Sequence, residues 1–241
     1  GPAVNQYNGK IDPARDTAVN ELISYAKANN VPFDFISWHH YRYALDVLTA
    51  KNAFYQTLQQ RNYSTYPELV ITEWNAPSTA VRTSPYAAGV MADNFVAFFK
   101  ENISAQTVYT WQDYAYANDT NYRGYGLISR EGISLPVFYI HQAFDALTKN
   151  VSGISVIELA NQTVVLAQQS NMSCYKGLYW IEDANISSIF NVSLRFANAD
   201  RVIANQSVGI KGTVVAKNTA QNGSTISFQA DGFEVVALSF C

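Results

Sequence analysis

Glu73 closes the apolar run Leu69-Val70-Ile71-Thr72 and is followed by Trp74, Asn75 and, after Ala76, Pro77. A carboxylate at the end of a run that reads as a buried strand has two readings. It is a solvated cap or ion-pair partner, or it is held there to act on a ligand. Two other apolar runs end in the same manner. "DFISWHHY" carries Ser37, His39 and Tyr41 at alternate positions, and "VYTWQDY" carries Trp111, Gln112 and Asp113. Beside the carboxylate, His39 and Tyr41 offer hydrogen-bond donors, and Trp111 offers an indole face of the kind that holds a sugar ring. His39 and His40 are zinc ligands by type, but adjacent strand residues point to opposite faces. No Cys, Asp or third His stands at ligand spacing, so neither a metal nor a cofactor is implied. His141, within "PVFYIHQAF", reads as a packed helical histidine. The chain has no glycine-rich phosphate loop, nucleophile elbow or Cys-His pair.

The order of elements is what would bring these residues together. "PARDTAVNELISYAKANN" reads as a helix, with Pro13 near its start, apolar Ala18, Leu22 and Ala26, and an Asn pair at its end. Then come "PFDFISWHHY" as strand, "LDVLTAKNAFYQTLQQ" as helix, "ELVITEWN" as strand, "SPYAAGVMADNFVAFFKEN" as helix, "AQTVYTWQDY" as strand, and "LPVFYIHQAFDALTKN" as helix with Pro136 in its first turn. Strand and helix in alternation are the signature of parallel βαβ units. In such folds ligands bind at the carboxyl ends of the strands, so the three strand ends are expected to converge on one site. After Asn150 the pattern changes to period-two alternation with turn residues, as in "ISVIELANQTVVLAQQ", "GLYWIEDA", "SSIFNVSLRFANADR" and "TISFQADGFEVVALSF", the last turning at Ala230-Asp231-Gly232. Residues 1–149 are thus expected to form an α/β domain and residues 150–241 an antiparallel β-sandwich.

Composition narrows the partners. The chain has 241 residues, 48% of them hydrophobic, which suffices for a sizeable core. Only 15% are charged, the net charge is −3, and no basic run is present, so nucleic acid is not an expected partner. No apolar stretch reaches the roughly 18 to 20 residues that cross a bilayer, and "GPAVNQYNGK" has no basic segment followed by an apolar one; no membrane partner is expected. Ten Asn-x-Ser/Thr sequons occur, at Asn62, Asn102, Asn118, Asn150, Asn161, Asn171, Asn185, Asn191, Asn205 and Asn222. With 21 Asn and 34 Ser or Thr in the chain, chance would give about three. The excess points to a secreted, N-glycosylated protein whose signal peptide has been removed. Seven of the ten lie at or beyond Asn150, which suits a sandwich with a solvated outside; in "FNVSLRF", Asn191 falls on the polar face. Cys174 and Cys241 are the only two cysteines, and in an oxidising compartment they are expected to pair, pinning the C-terminal strand.

The series "DFISWHHY", "LVITEWN", "VYTWQDY" and "GYGLISREGISLPVFYIHQAFDAL" resembles the last strands of family 39 glycoside hydrolases of clan A, the β-xylosidases and α-L-iduronidases. Family 51 arabinofuranosidases carry a similar Glu-Trp-Asn; the long segment after the last strand, Gly126 to Phe138 here, favours family 39. The resemblance implies the C-terminal part of a (β/α)8 TIM barrel followed by a β-sandwich. It implies a retaining, double-displacement glycosidase with Glu73 as nucleophile, Tyr41 donating a hydrogen bond that keeps Glu73 ionised, His39 and Asn75 contacting substrate, and Trp111 as a floor under the sugar ring.

The family's acid/base glutamate belongs to an Asn-Glu-Pro motif on the fourth barrel strand, and no Asn-Glu-Pro occurs in this sequence. "GPA" resembles the end of the fifth strand. The expectation is therefore a C-terminal portion that works with a companion N-terminal chain, which completes the barrel and brings the acid/base. The competing reading is a secreted glycoprotein that keeps the fold to bind carbohydrate or to build structure, without catalysis.

Overall fold

The computed structural model describes residues 4–5, 13–32, 34–113, 124–170, 174–183, 187–193, 204–211, 213–216, 220–222 and 225–240. Asn118, Asn171, Asn185 and Cys241 fall outside them. By packing, the chain divides into two compact units, Gly1–Thr79 with Asp93–Trp111, and Ala80–Ala92 with Gln112–Cys241.

The first unit is built on four parallel strands in chain order, β1 (Val4–Asn5), β2 (Phe35–His40), β3 (Glu68–Trp74) and β4 (Ala105–Val108). Helices alternate with them: α1 (Pro13–Ala28) precedes β2, and α2 (Leu45–Gln60) precedes β3. Between β3 and β4 run a single turn, α3 (Thr79–Arg82), and the longer α4 (Ala87–Lys100). In α2, Val47, Ala50, Phe54 and Leu58 form one buried stripe, the spacing of an amphipathic helix on a sheet.

One sheet face is lined with large apolar rings. Trp38 meets Phe54, His40 meets Phe98 edge-on, and Trp74 meets Phe95 and Phe98 edge-on; Trp38, Ile71 and Trp74 are fully buried there. Ser37, His39 and Tyr41 alternate with Trp38 and His40 and so share the other face. On β3 the alternation is interrupted. Trp38 pairs with Ile71, but His39 pairs with Glu73, so Thr72 is one extra residue opposite the Trp38–His39 step. Its hydroxyl donates to the Trp38 carbonyl at 3.3 Å. This bulge lets Leu69, Ile71 and Trp74 all turn to the buried face and sends Glu73 to the face of His39 and Tyr41.

The second unit holds α5 (Pro136–Thr148) and two antiparallel sheets. One sheet has six strands in the order β10 (Thr213–Ala216), β9 (Ala204–Lys211), β13 (Val235–Phe240), β7 (Tyr175–Ile181), β6 (Gln162–Gln169), β5 (Val151–Leu159). The other has three, β11 (Ala220–Asn222), β12 (Thr225–Asp231) and β8 (Ser187–Ser193). Val164, Tyr179, Ile181, Val236 and Leu238 of the first sheet and Phe228 and Ala230 of the second form one apolar cluster. On the opposite face of β7, Trp180 meets Phe144 of α5. Strand β7 is therefore buried on both sides, which is why Gly177 to Ile181 form an unbroken buried run rather than an alternating one.

Asn30, Asn62, Asn102 and Asn150 follow α1, α2, α4 and α5, and Asn161 turns β5 into β6; all five have positive φ. Asparagine is the residue other than glycine that most readily takes this conformation, and it stops helices by doing so. Four of these are sequon asparagines, and each is exposed, so the local backbone gives a second reason for Asn at these positions. Cys174 is not a free cysteine. The β13–β7 register ends at Phe240↔Tyr175, one residue short of both cysteines.

The reversal expected at Ala230-Asp231-Gly232 lies later. Ala230 and Asp231 remain in β12, and the turn passes through Phe233, whose φ is +56°. The buried Glu234 carboxylate accepts the Asp231 amide at 3.0 Å and holds this turn. Phe233 lies on Gly89 of α4 and against the Tyr86 ring, 5.6 Å between centroids. A Cβ on Gly89 would lie 2.8 Å from the Phe233 Cα, a backbone atom with little freedom to retreat. Helix propensity favours replacing this glycine by less than about 1 kcal/mol, whereas overpacking costs about 1–3 kcal/mol. Gly89→Val is therefore expected to lower the unfolding free energy by about 2 kcal/mol, measured by urea denaturation.

Candidate active site

The site lies at the carboxyl ends of β2, β3 and β4. Tyr41, just past β2, donates its phenolic hydrogen to Glu73 Oε2 at 2.8 Å. Nδ1 of His39 lies 3.2 Å from the same oxygen, an electrostatic contact that falls short of hydrogen-bond geometry. The Glu73 side chain is 36% exposed and that of His39 14%, so the carboxylate is held on one side and reachable from the other. The expected trio of His39, Tyr41 and Glu73 is thus brought together by the β2–β3 register.

His40 points the opposite way. Its Nε2 lies 3.1 Å from Asn94 Oδ1, and Asn94 Nδ2 donates to the Arg42 carbonyl at 3.2 Å. With the Asn94 amide oriented by that second bond, Nε2 of His40 carries the proton in its neutral form. Burial pushes its pKa down to about 4, against smaller opposing effects from the Asn94 bond and Asp46. His141 on α5 is also pushed down to about 4 by burial, consistent with a packed helical histidine. The two adjacent histidines therefore do not face a common ligand. Among the described residues no group of three or more His, Cys, Asp or Glu is placed to hold a metal ion.

Asn75 is buried, and its side chain faces backbone. Oδ1 accepts the Ala76 amide at 2.8 Å, and Nδ2 donates to the Tyr109 carbonyl at 2.5 Å. Trp111 stands three residues beyond β4, 62% exposed. The Tyr109 ring meets that of Tyr41 edge-on, at 6.4 Å between centroids. Asn94 and Tyr109 are the residues that reading the sequence passed over. A lone Asn in the apolar helix "VMADNFVAFF" was a signal for the first; for the second, Trp111 masked an equally aromatic neighbour. In the second unit, Asp113 is buried and accepts the Gly124 amide at 2.9 Å and the Tyr125 amide at 3.3 Å. Gly126 lies so close to the Asp113 backbone that a Cβ there would collide with its amide nitrogen. This carboxylate thus serves backbone amides at Gly124 and Tyr125.

A hydrogen bond to a charged group is worth about 1.5–3 kcal/mol. If Glu73 acts on a ligand, Tyr41→Phe, which keeps the ring and removes only the donor, is expected to lower kcat/KM by roughly 10- to 100-fold. Melting temperature should change little, because the partner carboxylate keeps access to water. Equal activity of the two forms would show that this bond is structural only.

No protein-family model matches the sequence, and no curated protein matches it. Solved structures do match. A family 39 glycoside hydrolase from Bacteroides cellulosilyticus WH2 is 14% identical over 90% of this chain and 46% of its own, with a TM-score of 0.61. AbfB, a family 51 α-L-arabinofuranosidase from Bifidobacterium longum, is 12% identical over 98% and 58%, with a TM-score of 0.66. A glucosidase from Croceicoccus marinus is 12% identical over 100% and 59%, with a TM-score of 0.69. The chain spans about half the length of the solved structures it matches. The likeness is one of fold, a glycosidase-like fold that is not particular to family 39.

Proposed function

We propose that the chain is the C-terminal part of a retaining glycoside hydrolase of family 39 type, with Glu73 as its nucleophile. The observation that carries this reading is the carboxylate at a parallel strand end, gripped by Tyr41 at 2.8 Å and approached by His39 at 3.2 Å, yet open to solvent. In the reaction Glu73 attacks the sugar's anomeric carbon and the glycosidic oxygen leaves as it is protonated. Water then breaks the glycosyl–Glu73 ester to release the sugar with its configuration retained. Tyr41 holds the attacking oxygen in place. His39 contacts a sugar hydroxyl and Trp111 lies under the ring. Asn75, placed by sequence among the substrate contacts, is better suited by its two backbone partners to hold the strand end.

The second carboxylate, needed about 5 Å from the first, is assigned to a companion N-terminal segment or chain that completes the barrel. We also propose that the enzyme is secreted, N-glycosylated at the exposed sequons, and bridged between Cys174 and Cys241. No cofactor enters the mechanism.

The test is covalent trapping. The intact protein, incubated with a panel of 2-deoxy-2-fluoroglycosyl fluorides in the xylo, gluco, arabino and glucurono series, should gain one glycosyl mass that peptide mapping places on Glu73. Fluoride leaves without a proton donor, so the outcome does not depend on the acid/base. Binding of the sugars without any labelling would favour the reading of a non-catalytic carbohydrate-binding protein.

A further inference from the structure

A closed circuit of contacts surrounds Glu73. Tyr109 is fastened at both ends of its backbone to the end of β3: its amide donates to the Trp74 carbonyl at 3.0 Å, and its carbonyl accepts Asn75 Nδ2 at 2.5 Å. The Asn75 amide cannot turn over, because its Oδ1 is engaged by the Ala76 amide at 2.8 Å. From this fixed backbone the Tyr109 ring meets the Tyr41 ring edge-on, at 78° and 6.4 Å between centroids. Tyr41 in turn donates to Glu73, one residue before Trp74. The Asn75 amide on the next strand is likewise fixed to β2, donating to the His40 carbonyl at 3.2 Å.

We infer that Asn75 and Tyr109 are positioning residues that hold the Tyr41 phenol against Glu73. The physical reason lies in how little movement breaks the contact: a phenol at the end of two rotatable bonds leaves the carboxylate with a small rotation. An aromatic edge set at a fixed place removes that rotation. Edge-to-face pairs also carry an electrostatic preference of their own, and the ring of Tyr109 supplies it while its hydroxyl is not needed. Near-attack geometry is lost with displacements of about 1 Å, so a loosened Tyr41 leaves Glu73 in place but wrongly directed for much of the time. The inference rests on Glu73 being the nucleophile.

The experiment compares the rate of Glu73 labelling by the 2-deoxy-2-fluoroglycosyl fluoride that traps the wild-type intact protein, in Tyr109→Ala, Tyr109→Phe and Asn75→Asp. The Asp variant still accepts the Ala76 amide but cannot donate to the Tyr109 carbonyl. The expected result is a labelling rate constant at saturating reagent at least tenfold lower in Tyr109→Ala and Asn75→Asp. The concentration for half-maximal rate should be nearly unchanged, and Tyr109→Phe should recover most of the loss. Labelling at the wild-type rate in the folded fraction of both damaged variants, judged by melting temperature, makes the two residues structural and overturns the inference. A loss in half-saturation alone makes them ligand contacts and overturns it too. A wild-type protein that is not labelled at Glu73 removes the nucleophile assignment, and the positioning role with it.

Discussion

Glu73→Gln is expected to lower turnover of an activated aryl glycoside by roughly 10⁴-fold or more, the scale at which removal of a residue forming the covalent intermediate is felt. The amide is nearly isosteric and still offers an oxygen to Tyr41, so ground-state contacts survive while the attacking electron pair is gone. KM should therefore move much less than kcat. Stability should hardly move: the side chain is 36% exposed, faces away from the ring-lined side of the sheet, and touches only Tyr41 and His39 among the contacts described. A change within about 0.5 kcal/mol corresponds to at most about 2 °C in melting temperature for a chain of this size. Turnover within tenfold of wild type would remove Glu73 from the chemistry. A variant that unfolds instead would make this carboxylate a structural group.

Stability should fall as the solution is acidified from about pH 6.5 to pH 4. His40 and His141 are held neutral by burial, each pushed from 6.5 to about 4. Between those values the unfolded chain binds protons that the folded chain refuses, so unfolding takes up protons and stability rises with pH. The stabilisation is complete above pH 6.5 and is lost as pH drops, levelling off below about 4, where both states are protonated. Each shift corresponds to at most about 3 kcal/mol, a large part of the total stability of an ordinary domain. Near His40, Asp46 opposes the shift and Arg42 reinforces it, both less strongly than burial. Urea denaturation at pH 7 and pH 4.5 measures the difference, and His40→Gln with His141→Gln should flatten the slope between them. An unchanged slope in the double variant would assign acid sensitivity to other groups.

Periodicity was enough to read much of the α/β part. Helix α2 runs from Leu45 to Gln60, the bounds of the segment that reads as helix in sequence, because its apolar stripe has no competing pattern. Strand β4 is shorter than its aromatic run suggests, ending at Val108; "YTWQDY" is rich in strand-forming residues, but Tyr109 is held by Trp74 and Asn75, and Asp113 is drawn to the Gly124 and Tyr125 amides. Strands β9, β10 and β11 did not stand out, since "ANQSVGIK", "TVVA" and "AQN" are short, polar or interrupted by glycine; β10 pairs with its neighbour β9 and β11 with its neighbour β12, while β9 also takes a partner farther along the chain, β13. In the site, residue type and spacing pointed to Glu73, His39 and Tyr41, because one carboxylate and two alternating donors at strand ends form a pattern in themselves. Neither the turn of Asn75 onto backbone nor the contact of Tyr109 with Tyr41 is written in spacing. Both depend on how β3 and β4 are registered, which only packing decides.

The extra residue at Thr72 makes the parity of this strand a chemical variable. Loops tolerate a gain or loss of one residue; here one further residue beside Thr72, beyond what the bulge absorbs, would act as a dislocation that exchanges the fates of its two downstream neighbours. The anion would be driven among the rings of Phe95 and Phe98, and the indole would stand beside Tyr41 in its stead. Substitution tables score such a gap as a trivial length change, yet it would invert inside and outside at the strand end that holds Glu73 beside Tyr41.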